Sequence, residues 1–188
     1  MNTLPTLLTH SLVLRPLRAE DAVQIAQLAG NLNVARNTRR IPHPYSEELA
    51  QAFIAEQRSA FNKGQEWTWA ICLKDGLTLV GCVGVVFEDE MSAELGYWLG
   101  EPYWGKGYAS EAGRAVIDHV FNTCTLWELN ARHLFTNPAS GRVLTKLGFQ
   151  LVGFTRGTCR EAGQEIVQHR LLHAAWVARP DRSSFADA

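Results

Sequence analysis

The sequence predicts an α+β fold in which a mixed, mostly antiparallel central sheet of about seven strands carries helices on both faces. Three apolar segments between residues 67 and 99 follow one another through short polar turns, so these strands must run antiparallel. An amphipathic segment over residues 107–121 then leads to another strand, and a helical crossover of this kind makes the two strands it joins parallel. Helical patterns also occur before and after these strands, which favours helices packed as layers on a sheet.

Periodicity and capping residues define the elements of the first half. Gly30 ends one helical stripe, and Ser46 can cap a second helix that has Glu47 and Glu48 in its first turn. The dipeptide Asp75–Gly76 between two β-rich runs is typical of a two-residue hairpin turn. The predicted elements are a strand at Ser11–Leu17, a helix at Ala19–Ala29, a segment at Asn31–Tyr45 that is mostly loop or a broken helix, a helix from Ser46 to about Phe61, and strands at Trp67–Lys74 and Leu77–Glu88.

The second half alternates strands and helices. Asn137 is placed as the N-cap of a short helix, Pro138 as its first residue and Gly148 as its stop. We expect a single domain over residues 1–178 and a frayed tail over residues 179–188, which lack periodicity. The predicted elements are a strand at Met91–Leu99, a helix at Gly107–Phe121, a strand at Leu129–Asn137, a helix at Pro138–Leu147, and strands at Phe149–Cys159 and Glu165–His173.

Composition excludes several classes of protein. The 188 residues are 46% hydrophobic and 20% charged, which is ordinary for a soluble domain with a full core. The net charge of −1 argues against a nucleic-acid coat or an anionic-membrane binder. The longest apolar runs, such as Leu79–Phe87, are too short to span a bilayer, and the N-terminus lacks a signal-peptide pattern. We therefore expect a cytoplasmic protein with no nucleic acid and no membrane as partner.

The cysteines and histidines do not suggest a metal centre. Cys72, Cys82, Cys124 and Cys159 form no CxxC pair, and three of them lie among apolar or strand-forming neighbours, so we expect free, buried thiols. His169 and His173 are four residues apart, which on one strand face separates them by about 13 Å. No metal is expected.

Residues 98–112, WLGEPYWGKGYASEA, are the most informative stretch. A strand ends there, a loop with Gly105 and Gly107 follows, and a helix starts at once. Glycines let a ligand approach the backbone, and the first N–H groups of the helix form an anion site suited to a diphosphate. A P-loop requires GxxxxGK[ST], which is absent, and a Rossmann fingerprint requires a third glycine where Ser110 stands. By itself, a GxG pattern between a strand and a helix forms only a turn about as often as it forms a ligand site.

Residues 104–109, WGKGYA, resemble the acetyl-coenzyme-A pyrophosphate loop of the GNAT superfamily of N-acetyltransferases, [Q/R]-x-x-G-x-[G/A]. Gly107 and Ala109 match, whereas Trp104 departs from the Gln/Arg position. The spelling YWGKGYASEA is similar to the ribosomal-protein N-terminal alanine/serine, or Rim-type, branch. The resemblance covers about residues 10–175 and implies the GNAT sandwich fold, acetyl-CoA as co-substrate and acetyl transfer to an amine. Three further segments resemble the family in the same order: Leu12–Leu17 with Glu20 and Asp21, Glu94–Leu99 (ELGYWL), and NPAS at 137–140 with KLGF at 146–149.

The resemblance also implies a set of cofactor-binding residues. The pyrophosphate would lie on backbone amides of the glycine loop, and the pantetheine arm would run along a gap where the strand ending in Trp98 and Leu99 splays from its neighbour. Read from the residues alone, Trp98 and Leu99 are equally good core residues, and Asn137 already has a local role as an N-cap. The implied residues are Trp98, Leu99, Trp104, Gly105, Lys106, Gly107, Tyr108, Ala109, Ser110, Asn137 and Ser140.

Glu94 and Ser140 are the candidate catalytic residues. Glu94 lies in an otherwise apolar strand, where an unpaired carboxylate is costly, and it matches the family's fourth-strand glutamate that deprotonates the attacking ammonium, often through water. A solvent-facing or salt-bridged glutamate is the equal alternative. Many family members place a tyrosine in the short helix to protonate the leaving thiolate, but the matching position here is Leu144. Ser140 is the nearest replacement donor, unless its hydroxyl only bonds back to the helix.

The acceptor implied by the Rim-type resemblance is a protein or peptide N-terminal amine. A small amine or aminoglycoside, or a non-catalytic acyl-CoA-binding module, remain as alternatives, and a homodimer is compatible with the sequence. Arg36, Arg39 and Arg40 form a basic cluster that is either a solvated loop or a wall of the acceptor site. We expect the loop Asn31–Tyr45 and the connection Arg160–Gln164 to wall the acceptor groove.

Overall fold

A computed structural model describes residues 3–157 and 163–179. They form an eight-stranded sheet in the order β1-β2-β3-β4-β5-β6-β8-β7. β5 and β6 pair in parallel, and the other neighbouring strands pair antiparallel, which confirms the mixed, mostly antiparallel sheet. The strands are β1 Leu7–Leu8, β2 Leu12–Pro16, β3 Glu66–Leu73, β4 Leu79–Phe87, β5 Ser92–Leu99, β6 Glu128–Leu134, β7 Gln150–Arg156 and β8 Glu165–Leu172. The helices are α1 Ala22–Ala29, α2 Leu32–Ala35, α3 Glu47–Asn62, α4 Tyr108–Thr123, α5 Pro138–Lys146 and α6 His173–Val177, with short 3-10 turns at Ala19–Asp21 and Glu101–Tyr103.

The predicted caps start the helices where the sequence placed them. The hydroxyl of Ser46 accepts a hydrogen bond from the N–H of Leu49 at 3.4 Å, at the start of α3. The side chain of Asn137 accepts one from the N–H of Ser140 at 3.2 Å, at the start of α5. Each bond satisfies a backbone donor that has no acceptor within its own helix.

The structure corrects the prediction in four places. β1 is an eighth strand that two residues are too short to reveal, and β6 ends at Leu134 rather than continuing to Asn137. The β3–β4 connection is longer than a two-residue turn: the N–H of Leu73 bonds to the carbonyl of Thr78 at 2.9 Å, and Gly76 and Leu77 both have positive φ. The short helix α6 was not predicted, because it begins at His173, the last residue of the predicted final strand. The indole N–H of Trp176 joins α6 to α4 by donating to Asp118 Oδ1 at 2.7 Å.

The sheet separates two hydrophobic clusters. The larger one lies under α4, α5 and α6 and includes Leu95 and Leu99 of β5, with Tyr97 packed against it. The smaller one lies under α1 and α3, and Trp98 packs against it. Successive residues of β5 therefore face opposite layers, as the pleat of a strand requires.

Three cysteines lie in the described residues as free thiols. Cys72 and Cys82 are buried and Cys124 is partly buried, and burial raises the pKa of each thiol. Cys159 and residues 180–188 of the predicted tail lie outside the described residues. Within residues 3–157 and 163–179, no helix combines the length and the apolar character that crossing a bilayer demands.

Candidate active site

The parallel pair β5–β6 opens into a cleft. The two strands pair only from Ser92 with Glu128 to Leu95 with Ala131, although both strands continue beyond that point. The N–H of Gly100 bonds to Val80 of β4 at 2.8 Å, so by alternation the backbone polar groups of residues 97 and 99 face the opening. The cleft has a volume of about 1440 Å³. The family resemblance implied a gap of this kind beside Trp98 and Leu99, and both residues line the cleft.

The start of α4 forms an anion cradle on the cleft wall. Gly105 and Gly107 have φ of +75° and +86°, left-handed values that favour glycine, and a Cβ built at either would extend into open space. The first backbone bond of the helix runs from the N–H of Glu111 to the carbonyl of Gly107 at 3.0 Å. The N–H groups of Tyr108, Ala109 and Ser110 precede that bond and point out of the helix start. These features fit a diphosphate.

Two side chains hold the loop that leads to this cradle. The indole N–H of Trp104 donates to the carbonyl of Leu99 at 2.8 Å, which ties the loop to the end of β5. The carboxylate of Glu101 accepts from the amides of Asn31 and Asn33, both at 2.7 Å. The ammonium of Lys106 lies over the ring of Tyr103, 5.6 Å from its centroid, and Lys106 stands outside the cleft wall, so its role in cofactor binding stays a prediction.

The start of α5 brings together Asn137, Ser140 and a tyrosine of β5. The amide of Asn137 donates to the carbonyl of Asn37 at 3.1 Å, which joins α5 to the loop after α2 across the cleft. Tyr97 Oη lies 2.8 Å from Ser140 Oγ and 3.2 Å from the Ser140 carbonyl. Burial raises the pKa of Tyr97 to about 12. Leu144, where many family members have a tyrosine, is 1% exposed in the core.

Sequence reasoning missed Tyr97 as a functional candidate. It reads as one of several large apolar residues in ELGYWL, and Ser140 is 43 residues away. The alternation within β5 was the available signal, because it turns residue 97 away from the face of Glu94 and towards the short helix.

Glu94 is compensated by two arginines. Its Oε1 lies 2.8 Å from Arg39 Nη1, and its Oε2 lies 3.5 Å from Arg132 Nη1. Arg132 also contacts Glu88, with 2.9 Å between Nη2 and Oε1. The negative charge of Glu94 is therefore balanced by two arginines, as expected for a salt-bridged strand glutamate. Glu94 nevertheless lines the cleft.

The predicted acceptor walls do border the cleft. Residues 36–42 and Tyr45 line it, as does Gln164, whereas residues 160–162 of the predicted second wall lie outside the described residues. Arg40 Nη1 lies 3.6 Å from Glu66 Oε1 at this end. Arg142 and Lys146 of α5 also line the cleft. These two cations suit a polyanionic cofactor, and no local pattern in the sequence distinguishes them from other surface cations.

A cluster suited to metal binding is absent from the part of the chain that the structure describes, where no three His, Cys, Asp or Glu side chains converge. His173 opens α6, and His169 instead meets His133, with 3.2 Å between their Nε2 atoms. Burial, together with the neighbouring His133, lowers the pKa of His169.

The same region of the chain resembles known acetyltransferases. The family model described as "Acetyltransferase (GNAT) domain" matches residues 11–150. The uncharacterized N-acetyltransferase p20 of Bacillus licheniformis is 30% identical over 163 residues, which cover 86% of this chain and 91% of that protein. The spermidine N(1)-acetyltransferase of Escherichia coli K12 is 27% identical over 170 residues, covering 87% and 89%. A solved structure of a ribosomal L7/L12 alpha-N-protein acetyltransferase with coenzyme A matches with a TM-score of 0.80 at 16% identity, covering 89% and 98%, which shows a shared fold.

Proposed function

The chain belongs to the GNAT acetyltransferase family, and on that premise we propose that this acetyl-CoA-dependent N-acyltransferase acts on the terminal α-amine of a protein or peptide. Acetyl-CoA is the co-substrate of the family. The cradle at Gly105–Ser110 would bind its pyrophosphate, and the gap beside residues 97–99 would hold its pantetheine arm. This placement is supported by the positive φ of both glycines and by the stretch of β5 that pairs with β4 but no longer with β6.

Acetyl transfer then follows by direct attack. A thioester is already activated, so alignment of the amine with the carbonyl supplies much of the rate. The backbone N–H groups of Tyr97 and Leu99 face the gap and would polarise the thioester carbonyl. Glu94 would accept the ammonium proton through a water molecule, because each of its oxygens retains a lone pair beside its arginine partner.

The charge pattern of the acceptor end carries the choice of a peptide amine. Of the four carboxylates that line the cleft in the described part of the chain, three are each ion-paired with an arginine, and Glu56 alone among them has no ion pair: the pairs are Glu94 with Arg39, Glu88 with Arg132, and Glu66 with Arg40. A polyamine requires carboxylates free to meet several positive charges, whereas a peptide brings one ammonium and a row of carbonyl oxygens that guanidinium groups can bind. An α-amine, with a pKa near 8 against about 10.4 for lysine, also loses its proton more readily.

A small-amine acceptor is the second candidate, and the spermidine acetyltransferase relative favours it. The deciding experiment measures kcat/KM with short peptides that begin with Ala or Ser, with the same peptides blocked at the N-terminus but carrying Lys, and with spermidine. We expect the free N-terminal peptides to be acetylated far faster than the blocked ones. Equal rates on the blocked peptides, or turnover with polyamines or aminoglycosides alone, would overturn the peptide assignment and leave acetyl transfer standing.

A further inference from the structure

We propose that Tyr97 and Ser140 form a two-hydroxyl donor for the departing thiolate of coenzyme A, in which Ser140 contacts the sulfur and Tyr97 positions Ser140. The inference deepens the proposed function and rests on acetyl transfer in this cleft. It gives the site a leaving-group partner although Leu144 stands where a tyrosine would be expected on α5.

The two hydroxyls meet across the cleft from different elements. Tyr97 lies in the part of β5 that no longer pairs with β6, and Ser140 lies in the first turn of α5. Both residues line the cleft. Their oxygens are 2.8 Å apart, a good distance for an O–H···O hydrogen bond. Tyr97 borders the gap between β5 and β6 that would hold the pantetheine arm, so the sulfur of bound coenzyme A would lie beside the pair.

The direction of the hydrogen bond decides what the pair can do. Tyr97 has one hydroxyl proton and two acceptors, Ser140 Oγ at 2.8 Å and the Ser140 carbonyl at 3.2 Å, and the shorter contact favours donation to Oγ, which leaves the proton of Ser140 to point into the cleft. A serine in the first turn of a helix otherwise tends to bond to nearby backbone. Since burial raises the pKa of Tyr97 to about 12, the phenol keeps its proton at neutral pH and remains a donor.

The pair lies on the opposite face of β5 from Glu94. Tyr97 packs with the cluster under α4 and α5, whereas Glu94 meets Arg39 of the loop after α2. An amine that reaches the thioester from the Glu94 face therefore has the sulfur leaving towards the hydroxyl face. In the tetrahedral intermediate the nitrogen and the sulfur occupy different corners of the same carbon, so Glu94 and the hydroxyl pair can act on the two atoms without competing for space.

The step balances without any proton leaving either hydroxyl. The amine nitrogen forms the new C–N bond, and the C–S bond breaks with its electron pair remaining on sulfur. The ammonium loses one proton before the attack and the nitrogen loses a second from the tetrahedral intermediate, and both pass through the water held by Glu94 to solvent. The thiolate departs while it accepts the hydrogen bond from Ser140 Oγ, and this bond is stronger to the charged sulfur than to the thioester, so it favours the transition state.

The test measures the pKa of the thiol of coenzyme A bound to the protein, from thiolate absorbance against pH. A donor pair at the sulfur lowers this pKa below that of free coenzyme A, and Tyr97→Phe or Ser140→Ala raises it again by about one unit, the size expected of one hydrogen bond to a charged group. Tyr45→Phe is the matched control, because it removes a hydroxyl from the same cleft on the side of α1 and α3. The control is expected to leave the thiol pKa where it is.

Turnover gives a second readout. We expect Tyr97→Phe to lower kcat about tenfold while the affinity for acetyl-CoA is preserved. Because Tyr97 acts through Ser140, the double variant Tyr97→Phe with Ser140→Ala should be no slower than Ser140→Ala alone. Unchanged thiol pKa and kcat in Tyr97→Phe would overturn the pair even if peptides are acetylated. A lowered thiol pKa that both substitutions abolish, in a protein that acetylates no peptide, would support the pair and overturn the peptide assignment instead.

Discussion

Nη1 of Arg39 lies 2.8 Å from Oε1 of Glu94, although 55 residues separate them in the chain. The contact fastens the loop after α2 to the strand that borders the cleft. Arg132 lies 3.5 Å from the other oxygen, Oε2, and each carboxylate oxygen keeps a lone pair that a water molecule can meet. Glu94 can therefore act as an anchor for the acceptor wall and as the proton acceptor of the reaction, and substitution separates the two roles.

Glu94→Gln is expected to lower turnover by roughly 10²–10⁴ at neutral pH, the contribution of a positioned base. The amide keeps the shape and the hydrogen bonding of the side chain but does not accept the proton. The deficit should shrink at high pH, where free amine is abundant. Steady-state rates across pH check this, with Glu88→Gln as the control that removes a neighbouring negative charge from the same cleft. A deficit that stays constant with pH would assign Glu94 to the anchor role alone.

Gly107→Val is expected to weaken acetyl-CoA binding at least tenfold in calorimetry, because a branched Cβ would fill the space beside the anion cradle. The backbone at this position, with φ of +86°, is also strained by any side chain. Gly64→Val separates the two effects, since Gly64 has φ of +68° and open space around it but does not line the cleft. Both variants should lose stability in thermal unfolding, and only Gly107→Val should lose affinity. Equal affinity in the two would contradict the placement of the cofactor.

The sequence predicts those features that depend on neighbours along the chain. Helix stripes, the caps Ser46 and Asn137 and the loop at Gly105–Gly107 are local patterns, and the structure places each where it was expected. The β3–β4 turn was mispredicted because Leu77 adopts a positive φ that propensity does not assign to leucine.

The contacts across the cleft could not be predicted from the sequence, because they depend on residues that are not neighbours along the chain. The contact of Tyr97 with Ser140 and the contacts of Glu94 with Arg39 and Arg132 join residues that are distant in sequence. The contact of Tyr97 arises because β5 and β6 separate after four paired residues, and no local pattern reports where a parallel pair stops. Glu94 lies within the paired part, opposite Asn130, and meets arginines of another strand and of a distant loop. The sequence required a partner for Glu94 on energetic grounds but did not identify it.

The free energy of unfolding is expected to fall as the pH drops below about 6.5, in part through His169. Burial, with a contribution from His133, lowers the pKa of His169 in the folded protein, whereas the unfolded chain keeps the ordinary value. Below that value the unfolded state binds a proton that the folded state resists, and above it both states are neutral and the effect vanishes. Burial lowers the pKa of His119 in the same direction, so His169→Gln should reduce the slope without abolishing it.

Urea unfolding at about pH 5.5 and about pH 7.5, one unit to either side of the ordinary histidine pKa, checks this. If the free energy of unfolding of His169→Gln changes with pH as steeply as that of the wild type, His169 does not contribute to the pH dependence.

Arg132→Gln is expected to shift acceptor preference from peptides towards polyamines. Arg132 neutralises Glu88 at 2.9 Å and Glu94 at 3.5 Å, and Arg39 still holds Glu94 in place after the substitution. Removing this cation leaves one negative charge in excess at the acceptor end, which favours an acceptor with several positive charges. The ratio of kcat/KM for spermidine to that for an Ala peptide should rise about threefold to tenfold, less at high salt, because these side chains are partly exposed. Arg170→Gln breaks an ion pair with Glu128 outside the cleft and should leave the ratio unchanged. An equal ratio in Arg132→Gln and the wild type would show that paired charges at this end do not select the acceptor.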